Sequence, residues 1–248
     1  MAEAPSLNDP QRVDAIRRCI RGKPALVRWY REGYAKWAEG LSRCPADGVV
    51  LELGSGAGFA REVVPDLVTS DVLPYEGVDR VVDATALPFG DGTLRAILGL
   101  NVFHHIEDVS AFLREAERCL AVGGRVFLID QHVGWISRPI LAHAHHEPFD
   151  AETRDWSFAS EGPLSSANGA LAWIVFERDR ERFAREHPGL RLERYAPHSP
   201  LRYFWCGGLR PWSLLPGFAF PLATALDRAL VALSPRFGSF VDVELVRV

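Results

Sequence analysis

Val49-Val50-Leu51-Glu52-Leu53-Gly54-Ser55-Gly56-Ala57-Gly58-Phe59 decides how this chain is read. An apolar run ends in a carboxylate, and glycine then takes every second position. A strand that passes through a tight turn into a helix needs residues that tolerate unusual backbone angles and let a ligand press against the main chain, which glycine supplies. Gly54, Gly56 and Gly58 meet that need. A helix is expected from about Phe59, its first amides favouring a negatively charged ligand group. The stretch therefore reads as a nucleoside-cofactor site. The dinucleotide fingerprint G-x-G-x-x-G asks for glycine or alanine where this chain has Phe59, which counts against a nicotinamide cofactor.

Working outward, a second apolar run, Leu67-Val68-Thr69, ends in Ser70-Asp71. Asp71 lies seventeen residues past Gly54, near the distance of about 20 residues at which an acid grips a ribose hydroxyl. A third short strand, Val81-Val82, stops at Asp83-Ala84, and Leu94 to Leu100 ends in Asn101-Val102-Phe103-His104-His105-Ile106. Ser110 to Leu120 repeats at helical period, and Val122 to Ile129 closes that helix and opens a fifth strand. Two acids at successive strand ends suit an adenosine. Taken singly, each acid also fits a plain turn or helix cap.

The acid two residues before Gly54 and the G-x-G-x-G spacing resemble the first motif of class I S-adenosylmethionine-dependent methyltransferases, in particular the bacterial type 11 group. Asp83-Ala84 followed by Leu87-Pro88-Phe89 resembles the segment whose acid meets the adenine amino group, and Asn101 to Ile106 resembles the fourth motif. The resemblance runs in order over about 48 to 131. It implies an α/β fold, the Rossmann-like class I methyltransferase sheet of seven mostly parallel strands with helices on both faces. It implies S-adenosyl-L-methionine as cofactor, held through Glu52, Gly54, Ser55, Gly56, Gly58, Asp71, Asp83, Ala84 and Asn101. Within that set the glycines admit the methionine half, Glu52 orders the turn, Asp71 takes the ribose and Asp83 the adenine.

Composition narrows the partners. The chain has 248 residues, enough for one large domain or a domain with a substantial insertion. Net charge is −4 and the arginines are spread along the chain, so no basic stripe marks a bulk nucleic-acid substrate. Cys19, Cys44, Cys119 and Cys206 form no C-x-x-C pair, which disfavours a zinc knuckle or a secreted disulfide framework. The first residues are polar and no run of about eighteen apolar residues occurs, so a cytoplasmic location and a small-molecule partner are expected.

Residues 1–45 are expected to form an N-terminal helical lid, broken at Gly22-Lys23-Pro24, with Trp29, Tyr30, Tyr34 and Trp37 at helical spacing. These aromatics suit either packing on the sheet or a cover that attracts a sulfonium. Residues 46–131 form the cofactor-binding core, 132–220 a substrate-recognition segment that includes a late core helix and strand, and 221–248 the closing helix and strand. Gln131 to about Gly169 is loosely patterned, which inside a compact domain points to function or disorder. Asn168 to Glu186 reads as helix, Leu190 to Tyr195 and Phe240 to Leu245 as strands, with an aromatic stretch, Trp205, Trp212, Phe218 and Phe220, between them. That stretch suits a pocket cover or core packing better than a membrane contact, because few cationic residues accompany it.

Methyl transfer to a hydroxyl benefits from a base, and histidine suits neutral pH. His104 and His105 follow the fourth strand, where one of them could instead pack under the cofactor and the other cap the helix near Asp108. His145, His146 and Glu147 offer a second base with an orienting carboxylate, with Trp156, Asn168 and Trp173 as further cavity candidates. The catalytic expectation is thus His104, His105 or His146. Metal ligation by the second cluster is the weaker alternative, since its spacing is no H-E-x-x-H motif and Pro148 extends the chain beside it, and no metal is assigned. The reading is O-methylation of a small molecule or saccharide. A nicotinamide-dependent oxidoreductase and a non-catalytic cofactor-binding module are the rivals.

Overall fold

The computed structural model describes residues 12–144, 147–159, 162 and 166–248. Among these, strands β1 (Val49–Leu53), β2 (Leu67–Asp71), β3 (Arg80–Val81), β4 (Leu94–Leu100), β5 (Leu120–Gln131), β6 (Leu190–His198) and β7 (Phe240–Arg247) form one sheet in the order β3-β2-β1-β4-β5-β7-β6. The first five run parallel, and β7 is antiparallel to both β5 and β6. This is the expected seven-stranded, mostly parallel sheet. The strand order reverses between β1 and β4, and a crevice outside the carboxyl ends of the strands opens where it does so.

Helices cover both faces, as expected: α1 (Arg12–Arg21), α2 (Pro24–Leu41), α3 (Val109–Cys119), α4 (Ser137–His143), α5 (Leu171–Trp173), α6 (Arg180–Glu186), α7 (Arg202–Trp205) and α8 (Phe220–Leu233). Along β5 the pleat sends alternate side chains to opposite faces. Val126 and Leu128 join a core with Phe112 of α3 and Phe176, whereas Phe127 and Ile129 join a core with Tyr34 and Trp37 of α2. Two glycines let α2 lie close to β5: a Cβ on Gly33 would stand 2.8 Å from Ile129 Cδ1, and one on Gly40 2.6 Å from Phe127 Cε1. Pro24 opens α2, where its missing amide costs nothing. Asp108 caps α3 by accepting the Ala111 amide at 2.8 Å, worth about 1 kcal/mol. The cap is Asp108 itself, not a neighbouring histidine.

Two expectations from the sequence are corrected. No α-helix starts at Phe59: the chain makes a single 3₁₀ turn, Ala60–Glu62, before β2. Pro65 accounts for this, because it lacks an amide donor and pushes Val64 away from helical angles. The amide cradle expected there for an anionic group is therefore missing. The helix expected over 168–186 is also interrupted: a π turn, Ile174–Arg178, separates α5 from α6, with the Asp179 amide donating to Ile174 O at 2.8 Å. Asp179 pins that turn by accepting Trp156 Nε1 at 2.9 Å and Arg178 Nε at 2.8 Å. No helix among the described residues is long and apolar enough to cross a membrane.

Candidate active site

The glycine turn is sewn to the strands on both sides. Ser55 N donates to Ser70 O at 2.8 Å, and Ser55 Oγ donates to Glu52 Oε2 at 2.7 Å. Gly54 sits at φ +64°, and a Cβ there would stand 2.5 Å from Val102 Cγ2. On Gly58 a Cβ would stand 2.8 Å from Ser55 O. A side chain at either place closes the turn. The Gly56 amide donates to Asp71 Oδ2 at 3.0 Å, so the turn is tied to the end of β2 by the acid read as a ribose ligand.

Both acids are nearly inaccessible to solvent, which raises the energy of their charged forms. Burial pushes the Glu52 carboxyl up to about 7 against its Ser55 hydrogen bond, and the Asp71 charge adds to the rise. Burial also raises Asp71, partly offset by the amides of Leu73 and Gly56. Asp83 is exposed, with Oδ1 accepting from Thr85 N at 2.8 Å and Thr85 Oγ1 at 2.7 Å. It thus serves the plain turn role as well as facing the crevice. Asn101 occupies the left-handed region at φ 55°, with Oδ1 buried and without a hydrogen-bond partner among the described residues, and burial pushes the Tyr30 hydroxyl up to about 12. Glu52 to Gly58, Asp71, Asp83, Ala84, Asn101, His104 and His105 all line one cavity of about 920 Å³, within the range of small-molecule sites, roughly 300–1,000 Å³.

Past the end of β4 the chain brings together groups from four segments. His104 Nδ1 lies 2.6 Å from Asp130 Oδ1, at the end of β5, and both side chains are almost wholly buried. Asp130 also accepts the amides of Phe103 at 2.8 Å and Gln131 at 2.7 Å. His105 Nδ1 lies 3.0 Å from the Ser166 carbonyl oxygen, which can only accept, so this nitrogen carries the proton. Glu147 reaches in between: Oε2 is 3.3 Å from His104 Nε2 and Oε1 is 3.5 Å from His105 Nε2. Burial alone would lower His104, but Asp130 and Glu147 outweigh it and push it up to about 10. Burial likewise works against the Glu147 charge, yet the two imidazoles hold its carboxyl far below the usual range.

The second histidine cluster is thus divided. Glu147 joins the first histidine pair, and His145 and His146 lie outside the described residues. Trp156, Asn168 and Trp173 do not line the cavity. Trp156 is tied to Asp179, and Asn168 exchanges hydrogen bonds with Asp150 while its amide donates to His104 O. Of the aromatic stretch, Trp212 lines the cavity, Phe220 is buried in the second core, and Phe218 faces solvent at 87% exposure. Tyr203 and Phe204 line the cavity too and were not singled out in the sequence. Their segment meets the N-terminal helices directly, since Lys23 Nζ donates to Gly208 O at 2.8 Å and Cys19 Sγ to Leu209 O at 3.3 Å. Trp29 and Trp37 pack in the core, as do Tyr30 and Tyr34, which also line the cavity.

Residues 51–128 match the family described as methyltransferase domain. The matched segment runs from β1 into β5 and contains the glycine turn, Asp71, Asp83, Asn101 and the histidine pair. Over these residues the chain carries a methyltransferase domain, and such a domain implies S-adenosylmethionine as cofactor. In the complex between the Haloferax volcanii Trm112 methyltransferase activator and its methyltransferase, one chain is similar in fold, with 18% identity, 98% of this chain and 97% of that chain covered, and a TM-score of 0.54. A methyltransferase from Bacillus halodurans aligns at 17% identity over 86% of this chain and 95% of its own, with a TM-score of 0.45. Geranyl diphosphate C-methyltransferase from Streptomyces coelicolor aligns at 16% identity over 86% and 80%, with a TM-score of 0.47. No curated protein matches the sequence.

Proposed function

We propose that the protein is an S-adenosylmethionine-dependent methyltransferase acting on a hydroxyl oxygen of a small molecule or saccharide, with the cofactor along β1, β2 and β3 and the acceptor beside the histidine pair. One observation carries this reading: His105 and Glu147 stand at the cavity wall, past the end of β4, where a hydroxyl can give up its proton. His104 suits that task poorly, because its raised proton affinity keeps it an imidazolium between two carboxylates. His105 Nε2 takes the proton, with Nδ1 held by Ser166 O and the resulting charge facing Glu147. The hydroxyl oxygen then forms the new O–C bond as the S–CH₃ bond breaks. Its electron pair stays on sulfur, leaving a methyl ether and neutral S-adenosylhomocysteine. Such a base contributes about 10²–10⁴-fold, and alignment of the reacting atoms supplies more.

Gly54, Gly56 and Gly58 admit the methionine half, with Glu52 and Ser55 ordering the turn. Asp71 takes the ribose, and Asp83 with Ala84 and Asn101 the adenosine surroundings. Residues 12–45 of the described chain and the Tyr203–Trp212 stretch act as lid and roof. The apolar side chains of Ile16, Ile140, Leu141 and Phe204 at the cavity favour an acceptor that is partly apolar rather than a bare sugar. Four free cysteines fit a reducing compartment such as the cytoplasm. The test is transfer of a labelled methyl group to hydroxylated metabolites and nucleotide sugars chosen by thermal shift with S-adenosylhomocysteine present. Alkali-stable label on oxygen is expected, and label only on nitrogen, carbon or protein would overturn the reading.

A further inference from the structure

We propose that His104, His105 and Glu147 hold one divalent transition-metal ion, of the zinc class, at the acceptor end of the cavity. The site stands on its own geometry; its use, making an acceptor oxygen nucleophilic, rests on the hydroxyl reading above and deepens it.

Both imidazoles are turned the same way. Nδ1 of His104 faces the Asp130 carboxylate at 2.6 Å and Nδ1 of His105 faces the Ser166 carbonyl at 3.0 Å. Metal-bound histidines are oriented in this manner, with the outer nitrogen given to a carboxylate or a backbone carbonyl and the inner one left for the ion. The inner nitrogens and the Glu147 carboxylate converge, with Gln131 Nε2 3.5 Å from His104 Nε2, and His104, His105 and Glu147 each offer one ligand atom within 4.8 Å of the others. Their separations discriminate between a proton and a metal. At 3.3 and 3.5 Å the Glu147 contacts are longer than charge-assisted hydrogen bonds, about 2.7–2.9 Å. Ligand bonds of about 2.0–2.2 Å to a tetrahedral ion place neighbouring ligand atoms roughly 3.3–3.6 Å apart, the separation that each imidazole has from the nearer oxygen of Glu147, Oε2 for His104 and Oε1 for His105.

The orientation of the rings agrees. His105 keeps its proton on Nδ1, facing Ser166 O, so its Nε2 lone pair is turned toward Glu147, and a single ion would serve this carboxylate and both imidazoles, whose ring centroids are 4.3 Å apart. Gln131 adds a further sign. Its Nε2 is 3.3 Å from Glu147 Oε2, and its Oε1 is buried without a hydrogen-bond partner among the described residues. A water on the ion would give that oxygen a donor. Two imidazoles and one carboxylate select zinc and its first-row neighbours over magnesium or calcium, which prefer oxygen ligands throughout. All three residues line the cavity, so an acceptor oxygen could complete the coordination and the ion would lower its proton affinity; with the ion bound, His104 is a neutral ligand in place of the imidazolium of the metal-free site, and neither imidazole is a base.

The experiment uses the full chain, freed of metal with a chelator, titrated with Zn²⁺ by calorimetry and with Co²⁺ by visible absorption. One equivalent should bind, with the absorption of a four-coordinate Co²⁺ ion. Glu147→Gln and His105→Ala should each weaken binding by at least about tenfold, and Asp130→Asn, a positioning change, by about 10–100-fold. Near-UV circular dichroism and S-adenosylhomocysteine affinity establish that each variant is folded, and any one folded variant suffices. No uptake by the wild type, or equal uptake by a folded Glu147→Gln or His105→Ala protein, overturns the site while leaving His105 as a base and the hydroxyl reading intact. Uptake at the site with methyl found only on nitrogen or carbon overturns the hydroxyl reading and leaves the site standing.

Discussion

The two groups of residues proposed for cofactor and acceptor are built differently. The proposed cofactor end comes from consecutive strand ends: the glycine turn after β1, Asp71 closing β2 and Asp83 just past β3, each held by neighbours in its own segment or the next. The proposed acceptor end joins His104 and His105 to Asp130, Glu147 and Ser166, groups drawn from the end of β4, the end of β5 and the segment beyond it. One end therefore depends on backbone shape, while the other depends on a network of side chains whose members are far apart in sequence. Changes at the acceptor end should alter chemistry with little effect on cofactor affinity, and changes at the cofactor end should do the reverse.

The largest effect is expected from His105→Ala. With the inward nitrogen gone, whether it serves as base or as ligand, turnover should fall by about 10²–10⁴-fold. Affinity for S-adenosylhomocysteine should stay within about twofold, because His105 contacts His104, Ser166 and Glu147 and its effect on Asp71 ranks below burial and the amides that Asp71 accepts. Steady-state kinetics paired with calorimetry checks this. A parallel loss of cofactor affinity would erase the division between the two ends.

Asp71→Ala is the converse and should be smaller. It removes the acceptor that holds the Gly56 amide at 3.0 Å and the Leu73 amide at 3.3 Å. It also removes the proposed ribose partner. Hydrogen bonds to a charged group are worth about 1.5–3 kcal/mol, so cofactor affinity should drop roughly ten- to hundredfold at saturating acceptor, with turnover at saturating cofactor nearly kept. Unchanged affinity in calorimetry would remove Asp71 from the cofactor end.

The same contrast explains what the sequence discloses. Strand ends at Glu52, Asp71, Asp83 and Asn101 are legible because apolar runs mark the strands and a parallel sheet gathers their carboxyl ends on one edge. Asp130 follows the same rule at the end of β5 and was open to the same reading. Glu147 is visible as a candidate, but its partner is not: pairing with His104 and His105, and not with its sequence neighbours, depends on how the loosely patterned segment folds back. Trp156 and Asn168 resemble cavity residues in composition, yet they lock the connection around Asp179 and Asp150. The helix expected after Phe59 shows a different limit, since the pattern of the family outweighed Pro65, which stops the chain after one turn.

The smallest effect sharpens the cofactor end through Glu52. Its folded carboxyl titrates at about 7, above the ordinary 4.5, chiefly because it is buried. Stability from its protonated form is complete below the ordinary value and is lost as pH rises through about 7. S-adenosylhomocysteine keeps the ammonium of its methionine half, and a positive group near Glu52 favours the carboxylate. Cofactor binding then releases a proton. Affinity should rise with pH by no more than about tenfold per unit below the folded value and level off above it, while the thermal stability of the free protein changes in the opposite direction. Glu52→Gln cannot ionise, so both trends should flatten in that variant while the Ser55 hydroxyl keeps an oxygen to bind. Calorimetry over this pH range on the two proteins isolates the group from Asp71, which burial also raises. Identical pH profiles for wild type and variant would mean that the ammonium is held elsewhere in the cavity and that Glu52 only shapes the turn.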